Sequence, residues 1–373
     1  RVDVGSNDYL GSRHGCPERV KQMKNILFLA GLSLASAFYV APSFADAPAA
    51  TQPEQPDQSA LSNVIDAWQN LNKYLESEPK PEISELDLLI DKLKTESSAV
   101  YANTTLGEAT RQMAYQFAFL GYVTGHQYDA KYAASIRTLA VDCRKTFAGS
   151  NTAALGDALV FQLDAAGLAP ADALVRLEAF SKDYPKSSIG PNLVLLYSDL
   201  IEEDYAVAKK FVADSLKIFP ANPTVVEYSA LLENVGKPAT LAGTTLDGKA
   251  FNLADWKGKV VVVNIWASWS KAWQKATPEV LKMQAALQAK GVEFIGVSVD
   301  KTQKEAEDYV AAQKIAWPQL LLNDPAQQAA FAKQFGVRSL PAFLVIDKAG
   351  NTASKSLSHL KRLEKLVEKE LKK

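Results

Sequence analysis

Sulfur and imidazole chemistry have little material in this sequence. Its 373 residues hold two cysteines, Cys16 and Cys143, and three histidines, His14, His126 and His359. The histidines stand far apart and suggest no metal cluster. A third possibility is a hydroxyl nucleophile at Ser270, in Trp269-Ser270-Lys271-Ala272-Trp273. Such a serine needs an adjacent base and an orienting acid. No histidine lies near it in sequence, and nothing supports Lys271 as a base. A helix N-cap is the simpler role for Ser270, one that serine fills for about 1 kcal/mol.

The elements that must position these residues come in two textures. From about residue 60 to 235 the pattern is helical throughout, with apolar residues at three- and four-residue spacing over 61–75, 86–93, 109–123 and 131–147. Pro79, Pro81, Gly125, Gly149, Asn151 and Gly167 punctuate it. A weak internal repeat runs inside this region. Ala173, Leu177, Tyr184 and Pro185 recur as Ala208, Val212, Phe219 and Pro220. A small residue, an apolar residue one turn later and an aromatic-Pro stop resemble the second helix of a tetratricopeptide repeat, whose period is about 34. An irregular bundle is the alternative. Cys143 falls in one of these helices and reads as an inert, buried thiol; a reactive or intermolecular thiol is the rival reading.

At Gly236-Lys237-Pro238 short β-rich runs begin to alternate with helical stretches: 260–266, then 278–290, 292–299, 304–313, 325–335 and 342–347. Alternation of this kind implies a sheet with helices on both faces. The leucines of 360–373 recur at helical spacing and predict a closing amphipathic helix.

Composition and the N-terminal pattern bound the setting. Hydrophobic residues make up 47% and charged residues 22%. Net charge is −1 and the pI about 6.4, so no basic field draws the chain to nucleic acid or an anionic membrane. Met23-Lys24-Asn25 opens a positive segment, 26–40 is apolar, and Ser43-Phe44-Ala45 is a small-x-small cleavage pattern. Residues 23–45 therefore read as an export signal cleaved after Ala45, leaving no stable membrane span. The apolar run falls short of the ~20 residues a span needs, although an uncleaved anchor is the rival. Residues 1–22 read as an upstream extension that is not native, and 46–59, rich in Ala, Pro, Gln and Asp, as a flexible linker. The mature chain then keeps Cys143 alone and forms no intramolecular disulfide.

From Gly236 onward the sequence resembles the TlpA/ResA-like group of exported thioredoxin-fold proteins, within the redoxin superfamily. The resemblance is carried by Gly236-Lys237-Pro238-Ala239, Leu246-Asp247-Gly248-Lys249, Asn252-Leu253 and Trp256-Lys257-Gly258-Lys259, and by the run from Val260 through Asn264-Ile265-Trp266-Ala267-Ser268-Trp269. Gly296-Val297-Ser298-Val299-Asp300, Phe335-Gly336-Val337, Leu340-Pro341-Ala342-Phe343-Leu344-Val345-Ile346-Asp347 and Gly350 continue it. It implies an α/β thioredoxin-fold domain over 236–373, following the all-α, tetratricopeptide-like domain that the helical spacing gives over 60–235.

In that family a Trp-Cys-x-x-Cys motif follows the first core strand. The first thiolate is stabilised at a helix N-terminus and attacks a disulfide; the second cysteine resolves the product. Here Ser270 and Trp273 replace both cysteines, and Ala276 stands where the family usually has an acid. These positions, with Trp269, read as a vestigial redox site. A hydroxyl is no thiol–disulfide exchange nucleophile. A thiol peroxidase is excluded too, because the domain contains no cysteine. Pro341 matches the family's cis-proline beside the active-site turn. Trp269, Trp273 and Pro341 make a peptide-docking candidate, against the simpler reading that Pro341 only builds the turn. The leading expectation is a non-catalytic binding or scaffold protein of the cell envelope, without cofactor or metal, whose partner is an unidentified envelope protein or peptide. The alternatives are a thiol–disulfide oxidoreductase acting through Cys143 or a partner, and a structural subunit of a larger envelope complex.

Overall fold

A computed structural model describes residues 54–77 and 82–373. The export-signal, upstream-extension and Cys16 readings, and the turn prolines Pro79 and Pro81, lie outside these residues. So does most of the linker at 46–59, but Asp57 N–H donates to the Thr110 hydroxyl at 2.8 Å and ties that end of the segment to a helix. The chain divides into two compact units, the first ending at Val225 and the second Val226–Lys373.

The first unit is helical: α1 (Ser62–Leu75), α2 (Ile83–Tyr101), α3 (Glu108–Tyr128), α4 (Tyr132–Thr146), α5 (Asn151–Ala165), α6 (Pro170–Asp183), α7 (Ile189–Ile201) and α8 (Tyr205–Ile218). Each helix packs on the next, and α3 lies against α5, α5 against α7, and α6 against α8. The unit is thus a stack of helix pairs, as the local amphipathic spacing requires.

The repeat extends further than the two copies legible in sequence. Helices α4, α6 and α8 end alike, on Phe147, Tyr184 and Phe219, whose N–H groups return to the carbonyls of Cys143, Phe180 and Ser215. Ile136 and Ala140 occupy the places of Ala173 and Leu177 and of Ala208 and Val212, and all six are fully buried. The first copy escapes a search for aromatic-Pro because Ala148 follows Phe147. The preceding helices carry a matching signal at Leu120-Gly121, Leu155-Gly156 and Ile189-Gly190. A Cβ on Gly156 would stand 2.9 Å from the Phe119 ring and 3.2 Å from the Ala140 backbone; one on Gly190 would stand 2.9 Å from Phe219. These glycines set the closeness of helix approach.

The second unit begins inside α9 (Pro223–Asn234), ahead of the change in composition at Gly236. The reason is packing: Leu231 covers Gly336, and the Asn234 amide donates to the Gln334 carbonyl at 2.9 Å. Strands β1 (Ala242–Thr244) and β2 (Ala250–Asn252) form a hairpin. Then come β3 (Val261–Trp266), α10 (Lys271–Gln288), β4 (Glu293–Ser298), α11 (Gln303–Gln313), β5 (Gln319–Leu321), α12 (Pro325–Phe335), β6 (Ala342–Ile346) and α13 (Leu360–Leu371).

The sheet order is β5-β4-β3-β6, with β3, β4 and β5 parallel and β6 antiparallel to β3. The thioredoxin-like reading rests on this order. Every residue of β3 is buried, as a central strand covered on both faces demands. Val262 and Trp266 face a core shared with α10, α11 and α13. Val261, Val263 and Ile265 face the other, shared with α12.

Candidate functional site

The site turn links the end of β3 to the start of α10. The helix starts at Lys271, seven residues before the Pro278 at which the helical spacing becomes visible in sequence. Pro278 lies inside it, where its missing N–H costs one rung at the Gln274 carbonyl. Ser270 is the N-cap: its Oγ accepts the Trp273 N–H at 3.3 Å and stands 3.5 Å from the Leu340 carbonyl. The Leu340–Pro341 peptide is cis. Three-dimensional structure thus brings Trp269, Ser270, Trp273 and Leu340–Pro341 together, as the resemblance implies.

It does not present them alike. Trp273 is 0% exposed; its ring packs 5.7 Å from Trp266 and 6.5 Å from Tyr309, measured between centroids. Tyr309 shares a 2.8 Å hydrogen bond with the Thr277 hydroxyl, which lies one turn beyond Trp273. The indole therefore fills the core, and its place in a docking surface is corrected on that ground. Pro341 is buried as well, leading into β6, while Leu340 before it is half-buried. Ser270 is 8% exposed, and Ala276 is half-buried against the same core. Of the residues of this turn, Trp269 alone, at 63%, presents a large apolar side chain to solvent. Ser339 and Arg338 are exposed in the loop beside Leu340.

Cys143 lies in the other unit, fully buried in α4. Burial pushes its thiol up to about 12, and the carboxylates of Asp142 and Asp157 push the same way. Arg144 does not counter this, because its guanidinium stands 3.3 Å from Asp157. Cys143 also occupies the repeat position held by Phe180 and Ser215, which makes it a packing residue. His126 and His359 are in α3 and at the N-cap of α13, and neither belongs to the site turn.

Sequence reasoning missed the groups that hold the turn. The Ser268 N–H donates to both oxygens of Asp300 at 3.0 and 3.1 Å, and its hydroxyl to one of them at 2.8 Å. The Gln274 amide donates to the Ser268 carbonyl at 2.7 Å. Asp300 was visible only as the end of the Gly296–Asp300 motif; its role follows from the parallel pairing of β3 and β4.

A model of the redoxin family matches residues 232–368. Thiol-disulfide oxidoreductase ResA of a Bacillus cereus strain is 30% identical over 122 residues, covering 32% of this chain and 68% of that protein. ResA of Bacillus thuringiensis subsp. konkukian is 32% identical over 117 residues, and there the chain spans 65% of the relative's length. Among solved structures, the thioredoxin domain of a thiol-disulfide oxidoreductase from Bacteroides vulgatus is 28% identical, covering 36% of this chain and 94% of that one with a TM-score of 0.32. The chain belongs to the TlpA/ResA-like redoxin family of thioredoxin-fold thiol–disulfide oxidoreductases. The match covers its second unit, and the helical stack of the first lies outside it.

Proposed function

We propose that this chain is an exported, redox-silent member of its family, which binds a protein or peptide of the cell envelope through its thioredoxin-fold unit instead of exchanging disulfides. One observation carries the reading: the position of the resolving cysteine holds Trp273, fully buried in the core against Trp266 and Tyr309. An indole in that place leaves no room for a second thiol, and Ser270 offers a hydroxyl that is used as a helix cap. The export half of the proposal rests on the pattern at residues 23–45. The rival route through Cys143 needs an accessible thiolate. A fully buried thiol pushed up to about 12 does not supply one.

Trp269 is the anchor of the proposed surface, since an exposed tryptophan on a fixed turn offers large contact area with little freedom to lose on binding. A photo-crosslinking residue placed at position 269 of the full chain, in an exporting host, tests this. The expected result is a discrete adduct from 269 that is absent from the exposed control position Lys282. Identical patterns from both positions, or none from either, would overturn the docking proposal.

A further inference from the structure

We infer that Asp300 is a positioning residue for the Trp269 surface, acting through Ser268. Its side chain is fully buried just beyond the end of β4. A carboxylate so placed is costly unless its oxygens are filled with donors. Here they are filled by the turn itself. One oxygen takes the Ser268 N–H and hydroxyl; the other takes the same N–H and the Ser298 hydroxyl at 2.8 Å. The Asp300 N–H returns to the Ser298 hydroxyl at 3.1 Å. Any displacement of Ser268 therefore takes two donors from a buried anion at once.

Ser268 is gripped on its third polar group too, because its carbonyl accepts the Gln274 amide. The residue before Trp269 is thus fixed at N–H, O–H and C=O, and the residue after it is the N-cap of α10. Trp269 is carried between two immobilised neighbours, which sets the direction in which its Cα–Cβ bond presents an otherwise exposed indole. The tether is tertiary: it joins the ends of β3 and β4, whose backbones meet where the Val299 N–H donates to the Trp266 carbonyl at 2.9 Å. Asp300 does not touch a ligand in this arrangement. It removes orientational freedom from the residue that would, so that less entropy is lost on docking. That consequence for docking rests on the proposed binding role; the positioning itself does not.

The test follows the motion of Trp269 in the full chain, read as the difference in time-resolved anisotropy between each protein and its Trp269→Phe counterpart. Asp300→Ala is expected to lose the slow component of Trp269 and to show fast local rotation. Asp300→Asn should restore most of the slow component, since its carbonyl oxygen still accepts the Ser268 N–H. Ser268→Ala, which removes one hydroxyl bond and leaves the buried carboxylate its other donors, reads the same quantity should Asp300→Ala fail to fold. An Asp300 that merely stabilises the fold would lower the unfolding temperature and leave the anisotropy of folded protein unchanged; that result overturns the inference. Faster rotation in Asp300→Ala, with no adduct from position 269 in the parent chain, supports the positioning role and overturns the docking proposal instead.

Discussion

Among the described residues, the two places where thiol chemistry would be sought differ in opposite ways. In the helical unit the sulfur is present, but its surroundings disfavour ionisation: Cys143 is fully buried, and Asp142 and Asp157 add to the effect of desolvation. In the thioredoxin unit the surroundings would favour a thiolate, since the Trp273 N–H at the start of α10 already points at the side chain of residue 270. There the sulfur is absent, and the second cysteine position has been given to the core. An electrostatic site and a nucleophile are separable features, and this molecule holds one of each in different units.

Perturbing the filled position should have the largest effect. Trp273→Ala leaves an indole-sized void against Trp266 and Tyr309, and should cost about 3–5 kcal/mol in denaturant unfolding. A cost below about 1 kcal/mol would mean the indole is dispensable to the core and the site only lightly modified. Next comes a probe of the helical stack. Gly→Ala inside a helix usually gains up to about 1 kcal/mol. Gly156→Ala should instead lose about 1–3 kcal/mol, because the new methyl meets Phe119 and the Ala140 backbone. Ser270→Ala should cost about 1 kcal/mol through loss of the cap, with no change in any redox assay.

The smallest effect near neutral pH concerns the sulfur itself. A thiol held protonated by folding, and ionising near about 8.5 once unfolded, stabilises nothing below that pH, where both states bind the proton. As pH rises above about 9 the unfolded state loses its proton first, so stability should fall progressively toward about pH 12. Cys143→Ala should flatten that slope. The same reasoning predicts that Cys143 contributes no thiolate absorbance in the folded protein between about pH 7 and 10, read in a Cys16→Ser background, and that it resists alkylation until the chain unfolds.

Much of the second unit was legible because its strands are short, apolar and bounded by turn residues. The run at 260–266 differs from β3 by a single residue, and 325–335 coincides with α12. Ser270 was legible as a cap from its type alone. Trp273 was not, because sequence gives the size of an indole and not the space available to it; that space is made by Trp266 from β3 and Tyr309 from α11. In the first unit the aromatic-Pro stop marked two helices, while the third needed the geometry at Phe147 to be seen. Asp300 was the least visible of all, since its partner Ser268 is brought to it only by the pairing of β3 with β4.

The most direct test of the central claim is a disulfide-exchange assay on the full chain carrying Cys16→Ser, with insulin as substrate and a dithiol as reductant, run beside the same chain with Cys143→Ser added. The account predicts that neither protein accelerates reduction beyond the dithiol alone. Turnover by the parent chain that disappears in Cys143→Ser would contradict it, and would give the chemistry to the buried thiol of the helical unit.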